Sequence, residues 1–481
     1  MGAIEMNAPK TLQQLMQKSG VAFGTSGARG LVTAMTEEVC AAYTQAFVQA
    51  MQREYVFKTV AIATDLRPSS PVIAQYCSKM LFQFGLEIIF CGAIPTPALA
   101  LYAQKHKIPG IMVTGSHIPF DRNGLKFYRP DGEITKADEE IMLATSLLPL
   151  QDYSISLPLP TPDARSDYLE RYVDMLGADG FKGLRLAIYQ HSSVGRDLMQ
   201  ELFSILGAEV ICLERSDTFV PIDTEAVSDA DVQRGIDWAK EYNVNAIIST
   251  DGDGDRPLIA DEHGTWLRGD IVGLLTAQWL NIRHLAVPVS CNSAIEVSRF
   301  FDQVIRTRIG SPYVIAGMAL LHEQGKQHIA GFEANGGFLL GSSVNAYPHL
   351  APLPTRDALL PVMCLLAAMQ KYNKPLSTLV AGLPSRFTAS DRLQQYPTEK
   401  SKELIEDWFE FPEKLMSLLQ IDEMVIKKDI TDGLRLTLTS GNVIHLRPSG
   451  NAPELRCYAE SHSIPAAVRL VKAVLERIST L

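Results

Sequence analysis

Asn245-Ala246-Ile247-Ile248-Ser249-Thr250-Asp251-Gly252-Asp253-Gly254-Asp255-Arg256 joins an apolar, β-leaning run to three carboxylates at alternate positions. Carboxylates so spaced repel one another unless a cation joins them, and a hard divalent metal prefers oxygen ligands of this kind. The intervening glycines remove side-chain bulk and let the backbone close around one point. A solvated Asp-rich turn is the plain alternative. An EF-hand loop is another, since Glu262 falls at its twelfth position. That loop needs Gly at its sixth position, where Arg256 stands, and helical flanks. Here Ala246 to Thr250 and Pro257 to Ala260 read as strands. A metal seat at the carboxyl end of a strand fits better, because open α/β sheets place ligands there.

Upstream, strands are expected at Leu184 to Tyr189 and Glu209 to Leu213. Before them, Leu150 to Ser166 turns Pro-, Ser- and Asp-rich and reads as a linker. Earlier still, strand Thr59 to Thr64 ends in Asp65-Leu66-Arg67-Pro68. Helix Ser70 to Gly85, strand Leu86 to Cys91 and helix Pro97 to His106 follow. This alternation argues for a parallel, helix-covered sheet. The next strand, Gly110 to Thr114, runs into Gly115-Ser116-His117-Ile118-Pro119, with Asn123-Gly124-Leu125-Lys126 shortly after. A Gly-preceded turn can lift the Ser116 hydroxyl into the open; a capping serine is the alternative. Thr36 to Arg53 reads as an amphipathic helix with Thr36 as N-cap. The loop Phe23-Gly24-Thr25-Ser26-Gly27-Ala28-Arg29-Gly30 is rich in donors and suits an anion, or is a Gly-rich turn. The first 20 residues are polar and helix-leaning.

Downstream, helix Ile271 to Trp279 and strands Leu285 to Val289 and His328 to Gly331 lead into Phe332-Glu333-Ala334-Asn335-Gly336-Gly337. Three α/β segments thus each end a strand in a polar loop, at Ser116, Asp251–Asp255 and Glu333–Asn335, with no residue-level repeat. After Leu376 to Pro384 come helices Glu399 to Glu410 and Glu413 to Leu419, then short strands. Strand Val443 to Leu446 runs into Arg447-Pro448-Ser449-Gly450-Asn451-Ala452-Pro453-Glu454-Leu455-Arg456. A guanidinium, a hydroxyl, an amide and free backbone N–H groups suit a phosphate; a structural turn with a surface arginine is the alternative. The last strand and helix are expected at Cys457 to Glu460 and Pro465 to Ser479.

A length of 481 residues implies about three or four domains. With 46% hydrophobic and 20% charged residues the chain is globular. Its 44 basic and 54 acidic residues give a net charge of −10, which argues against nucleic-acid binding. Seven scattered cysteines without Cys-x-x-Cys pairs indicate neither zinc nor a disulfide framework, and a reducing cytosol fits. No apolar run approaches the ~18 residues of a membrane span. The longest, Leu359 to Met369, reads as a buried helix. No secretory pattern opens the chain, and Met1-Gly2 lacks the Ser or Thr of a myristoylation start, having Met6. A cytoplasmic protein without membrane association is expected.

Together the loops supply a hydroxyl nucleophile, a metal seat, a carboxylate for sugar contact and a phosphate clamp, the parts of a phosphoryl-transfer site. In order and spacing they resemble the α-D-phosphohexomutase superfamily (phosphomannomutases and phosphoglucomutases) over essentially the whole chain. The active-serine motif Thr-Ala-Ser-His-Asn-Pro appears as Thr114 to Pro119, followed by Asn123-Gly124-Leu125-Lys126. The metal loop appears as Asp251 to Arg256, the sugar loop as Phe332 to Gly336 and the phosphate loop as Arg447 to Pro453.

The resemblance implies three similar mixed-sheet α/β domains plus a smaller C-terminal α+β domain around a central cleft. The divisions would be 1–155 with the active serine, 156–262 with the metal loop, 263–378 with the sugar loop and 379–481 with the phosphate loop. It implies a phosphoserine at Ser116 and Mg²⁺ held by Ser116, Asp251, Asp253 and Asp255. Lys126 would be the proton-transfer or electrostatic partner at the serine oxygen. Arg256 and Arg29 would be further catalytic cations. Glu333 and Asn335 would meet the sugar, and Arg447, Ser449, Gly450, Asn451 and Arg456 the phosphate that stays. The reaction would interconvert hexose 1-phosphate and hexose 6-phosphate, mannose phosphates foremost, with a hexose 1,6-bisphosphate as intermediate and activator. A monomer or homodimer is expected.

Four positions depart from the pattern: Ile118 for Asn, Asn335 for Ser, Gly337 for a frequent His, and Ser311 for another His. They bear on which hexose is used more than on reaction type. A phosphoglucomutase or phosphoglucosamine mutase is the nearest alternative. A non-catalytic sugar-phosphate binder and a phosphatase come from other classes.

Overall fold

The computed structural model describes residues 11–24, 27–151, 153–449 and 453–481. Thr25 and Ser26 of the first loop, and Gly450 and Asn451 of the phosphate loop, lie outside the described residues. The chain forms two compact units, Met1–Asn281 with Asn335–Ser377, and Ile282–Ala334 with Thr378–Leu481. No helix among the described residues is long and apolar enough to cross a membrane.

The first unit holds a seven-stranded sheet whose central strands are Arg122–Arg129, Gly110–Val113 and Thr59–Thr64, with Glu87–Ala93 at one edge. Thr59–Thr64 runs parallel to both Glu87–Ala93 and Gly110–Val113. Arg122–Arg129 runs antiparallel to Gly110–Val113 and to Ala28–Leu31, so the sheet is mixed where the βαβ alternation alone suggested a parallel one. The cause is the short connection after Thr114: reversing direction needs only a tight loop, whereas a parallel neighbour needs a crossover. Helix Glu37–Met51, capped by the Thr36 hydroxyl on Val39 N–H, sends Phe47 into one core with Ile62, Ile111 and Phe127 of the sheet.

The same unit holds a four-stranded sheet ordered Pro257–Ala260, Ala246–Thr250, Arg185–His191, Glu209–Arg215. Ala246–Thr250 is parallel to Arg185–His191 and antiparallel to Pro257–Ala260, which makes Asp251–Arg256 the turn of a β-hairpin. Both flanks are strands, which disposes of the EF-hand reading. Leu359–Tyr372 is a helix buried over most of its length, as its apolar run predicts.

In the second unit, His284–Pro288 pairs in parallel with Gln303–Thr307 and Ile329–Phe332. A separate antiparallel sheet is ordered Phe387–Leu393, Leu455–Ser461, Val443–Pro448, Leu434–Leu438, Val425–Asp429. Helix Ile464–Ser479 covers it with Val471, Val474 and Ile478.

Two buried histidines couple this fold to pH. His191 places Nε2 at 2.9 Å from the Thr250 carbonyl, and His445 places Nε2 at 2.6 Å from the Asp432 carbonyl. In both rings Nδ1 is buried without a hydrogen-bond partner. Burial pushes each down to about 4. The unfolded chain titrates near 6.5, so folding is favoured by the neutral rings. That contribution is full above about pH 6.5 and is lost as pH falls toward 4, at about 1.4 kcal/mol per pH unit for each ring. Denaturant unfolding between pH 6.5 and 5 is expected to show this slope. The double variant His191→Asn/His445→Asn should flatten it, and an unchanged slope would contradict the assignment.

Candidate active site

The site of the first unit stands at the carboxyl ends of three sheet strands, Thr59–Thr64, Gly110–Val113 and Ala246–Thr250. Open α/β sheets gather their ligands there because crossing connections diverge and backbone groups point outward. Ser116 follows the second strand with φ 52°, in the left-handed region that costs a non-glycine residue roughly 1–2 kcal/mol. Such strain persists where surroundings over-determine it, and here they do. Ser116 N–H donates to Thr114 Oγ1 at 2.8 Å, and Thr114 Oγ1 donates to Asp65 Oδ2 at 2.8 Å.

Ser116 Oγ donates to Asp251 Oδ2 at 2.6 Å, although 135 positions separate the two residues. Lys126, on the antiparallel strand, donates to Asp253 Oδ2 at 2.5 Å and to Asp255 Oδ2 at 2.6 Å. Its ammonium is thus held by the aspartates; the hydroxyl of Ser116 pairs with Asp251. Arg256 donates from Nη1 to His117 Nδ1 at 2.9 Å, and its Nε lies 3.6 Å from Asp255 Oδ1. That bond uses the Nδ1 lone pair of His117. Burial first, then Arg256 and Arg29, push His117 down to about 2, so the ring is neutral. With its Nδ1 engaged, it is a poor base for Ser116, 3.3 Å away. Arg29 is pushed down to about 10 by burial, then by Arg256 and Arg356, and stays protonated at neutral pH.

The three aspartates are buried and can bring their oxygens within 4.8 Å of one another. Each carboxylate is divided in the same way. Asp251 Oδ1 accepts from the N–H groups of Asp255 and Arg256, at 3.2 Å each. Asp253 Oδ2 accepts from Lys126 and, at 2.7 Å, from Thr96 Oγ1. Asp255 Oδ2 accepts from Lys126 and Arg356. What remains is Asp251 Oδ2 on the serine side and two buried oxygens, Asp253 Oδ1 and Asp255 Oδ1, without hydrogen-bond partners. Buried carboxylate oxygens are costly when left unpaired. An oxygen-only donor set with these two left over fits a hard divalent cation. Burial, then Asp253 and Asp255, raise Asp251 well above the usual range. Burial works the same way on Asp253, yet Lys126 and Thr96 hold it below that range. Asp255 is also held low, against burial, chiefly by Arg356.

Sequence reasoning missed the group that shapes the serine loop. Arg67 is fully buried and donates to four backbone carbonyls: Ser116 at 3.0 Å, Ile118 at 2.5 Å, Pro119 at 2.8 Å and Arg122 at 2.9 Å. It pairs with Asp65 at 3.3 Å and lies 3.8 Å from the Phe219 ring centroid. Gly115 makes room for it, since a Cβ there would meet the guanidinium carbon at 2.5 Å. Ile118 thus serves the loop through its carbonyl. A polar Asp-x-Arg at a strand end was the available signal.

Of the sugar-loop residues, Glu333 follows strand Ile329–Phe332 and is buried. Asn335 accepts at its carbonyl from Thr224 Oγ1 at 2.8 Å, and its Oδ1 accepts from Gly337 N–H at 3.0 Å. In the second unit, Arg447 pairs through Nε with Asp432 at 2.9 Å, and Ser449 N–H donates to the Glu454 carbonyl at 2.8 Å. Arg447 stands directly across from Arg456, and Arg456 directly across from Arg392. Three arginines therefore share one row on one face, eased by Asp432 at Arg447 and by Glu454, which lies 3.6 Å from Arg392 and 3.5 Å from Arg456. Arg392 was not foreseen, because its strand carries no motif.

Four domain descriptions of one family match the chain in order. They are phosphoglucomutase/phosphomannomutase alpha/beta/alpha domain I over 20–147, domain II over 166–264, domain III over 268–387 and the C-terminal domain over 402–477. The chain is 52% identical to a phosphomannomutase of Salmonella muenchen, covering 97% of each. It is 42% identical to a phosphomannomutase of Sinorhizobium fredii, covering 94% of this chain and 97% of the relative. The crystal structure of a phosphoglucomutase/phosphomannomutase family protein from Burkholderia thailandensis superposes with a TM-score of 0.72 at 20% identity, over 95% of this chain and 97% of that one. Matched over 97% of its length by a relative and in order by all four domain descriptions, the chain belongs to the phosphoglucomutase/phosphomannomutase family of the α-D-phosphohexomutases, enzymes of the intramolecular phosphotransferase class.

Proposed function

We propose that this enzyme interconverts hexose 1-phosphates and hexose 6-phosphates, mannose phosphates foremost, by phosphoryl transfer through Ser116. The observation that carries the proposal is the 2.6 Å contact between the Ser116 hydroxyl and an aspartate turn that keeps two buried oxygens, Asp253 Oδ1 and Asp255 Oδ1, without hydrogen bonds. The mannose preference rests on the names of the two relatives.

Ser116 in its phosphorylated form gives its phosphoryl group to a hydroxyl of the bound monophosphate. The Oγ–P bond breaks, a sugar O–P bond forms, the proton of the attacking hydroxyl ends on Ser116 Oγ, and a hexose 1,6-bisphosphate results. Turned about, the bisphosphate returns its other phosphoryl to Ser116, leaving the isomeric monophosphate. When bound, Mg²⁺ on Asp251, Asp253 and Asp255 supplies Lewis-acid neutralisation of the phosphoryl oxygens. Lys126 and Arg256, fixed by the aspartates and His117, add positive charge without reorganising as the group moves. Arg29 adds to the same field. In the return step Ser116 Oγ attacks the other phosphoryl group and its proton passes to the sugar oxygen that leaves; until then Asp251 Oδ2 orients the hydroxyl from 2.6 Å. Glu333 and Asn335 would meet sugar hydroxyls. Arg447, Ser449, Gly450, Asn451 and Arg456 would hold the phosphate that is not moving, with Arg392 completing the row.

Incubation with mannose 1,6-bisphosphate and peptide mass spectrometry tests the nucleophile, with phosphate expected on Ser116. A chain that stays unlabelled there is a binder, and net release of inorganic phosphate indicates a phosphatase. Comparing kcat/KM on mannose, glucose and glucosamine phosphates tests the sugar. The highest value is expected for mannose 1-phosphate.

A further inference from the structure

Arg356 is the penultimate residue of strand Leu353–Asp357 and is buried. Its Nε and Nη2 both donate to Asp255 Oδ2, at 3.0 and 2.8 Å. Asp255 Oδ1 is buried, makes no hydrogen bond and lies 3.6 Å from Arg256 Nε, so Arg356 holds one oxygen of the carboxylate and Arg256 stands beside the other. Arg356 reaches this position across Gly337. Strand Phe338–Leu340 pairs antiparallel with Leu353–Asp357, with Phe338 opposite Asp357, and Gly337 directly precedes that pair. A Cβ at position 337 would lie 2.6 Å from Arg356 Cδ, 2.7 Å from Cγ and 3.0 Å from Cβ. Glycine is needed here for room; its φ is not in the left-handed region.

We propose that Arg356 is a fixed cation that weakens the hold of the aspartate turn on its divalent ion, and that Gly337 is present to admit it. The inference rests on the metal reading given under Proposed function. A guanidinium stays charged throughout the working pH range. It draws down the negative charge of Asp255 and repels a cation at the adjoining oxygens. Lys126, Arg256 and Arg356 together set three fixed positive charges against three aspartates. A seat so nearly neutral binds a divalent ion loosely. Arg356 also steadies the Asp255 carboxylate, which favours binding. Repulsion between a unit charge and a divalent ion across a few ångströms of buried site outweighs the gain from one fixed torsion.

Mn²⁺ serves as the probe, titrated by electron paramagnetic resonance into the full chain without sugar phosphate. Arg356→Met is expected to bind Mn²⁺ about tenfold more tightly than the unsubstituted protein. Arg356→Lys keeps the charge and should stay within about twofold. Gly337→Ala, whose methyl group displaces the guanidinium, should follow Arg356→Met, with no further gain in the double variant. Should Arg356→Met fail to fold, Gly337→Ala carries the same test. Unchanged or weaker Mn²⁺ binding overturns the proposal. So does an Arg356→Lys that binds as tightly as Arg356→Met, because charge is then not the agent. An Asp253→Asn variant that binds Mn²⁺ as tightly as the unsubstituted protein overturns the metal reading itself, and this proposal with it.

Discussion

Ser116→Ala is expected to lower turnover of mannose 1-phosphate by at least about 10⁴-fold, with hexose bisphosphate activator present, the scale of loss when a nucleophile is removed. The fold should survive, because the hydroxyl makes one strong contact, to Asp251 at 2.6 Å, and a long one to His117 at 3.3 Å. The left-handed backbone at φ 52° is held by Thr114 and Arg67 and does not depend on the side chain. Substrate affinity should therefore change little while kcat collapses, the signature of an interaction made only during reaction. No neighbour can replace the hydroxyl. His117 has its Nδ1 occupied by Arg256, and Lys126 is held by two aspartates. A coupled assay that retains more than about a hundredth of the activity would contradict the nucleophile assignment.

Arg67→Met should carry the largest cost in stability, about 3–5 kcal/mol, the range for breaking a buried ion pair by removing one partner. Asp65 would lose its charged neighbour, though it keeps the hydroxyls of Ser70 and Thr114 at 2.6 and 2.8 Å. Four backbone carbonyls of the serine loop would lose their donor together. Methionine fills the volume but offers no N–H group. Lysine should not rescue, because a single ammonium cannot span four carbonyls that a planar fork reaches. Thermal or denaturant unfolding checks the first statement, and a loss below about 1 kcal/mol would refute it. Steady-state kinetics checks the second: kcat should fall more than KM rises, since what is lost is the placing of Ser116.

The aspartate hairpin and the serine turn could be read from sequence because each is local. An apolar run, a strand end and a cluster of polar residues are contiguous there. The order of the loops then carried the family. The strand that delivers Lys126 was harder to read. Asn123-Gly124 has the form of a turn, yet both residues lie inside strand Arg122–Arg129. Gly124 is there because the neighbouring backbone comes close: a Cβ would meet the Ala28 carbonyl oxygen at 2.5 Å. Arg67 escaped because its partners are mostly carbonyls, which every residue has. Arg356 escaped because it meets Asp255 across 101 positions, from a strand with no motif of its own. Both are visible only once the backbone is folded.

The aspartate turn closes on itself. Asp251 N–H bonds the Arg256 carbonyl, and Asp251 Oδ1 takes the N–H groups of Asp255 and Arg256. A turn that closes through its own backbone does not depend on its neighbours for its shape. Lys126 and Arg356 reach it from other strands, so exchanging them would alter the charge the aspartates feel and leave the turn standing.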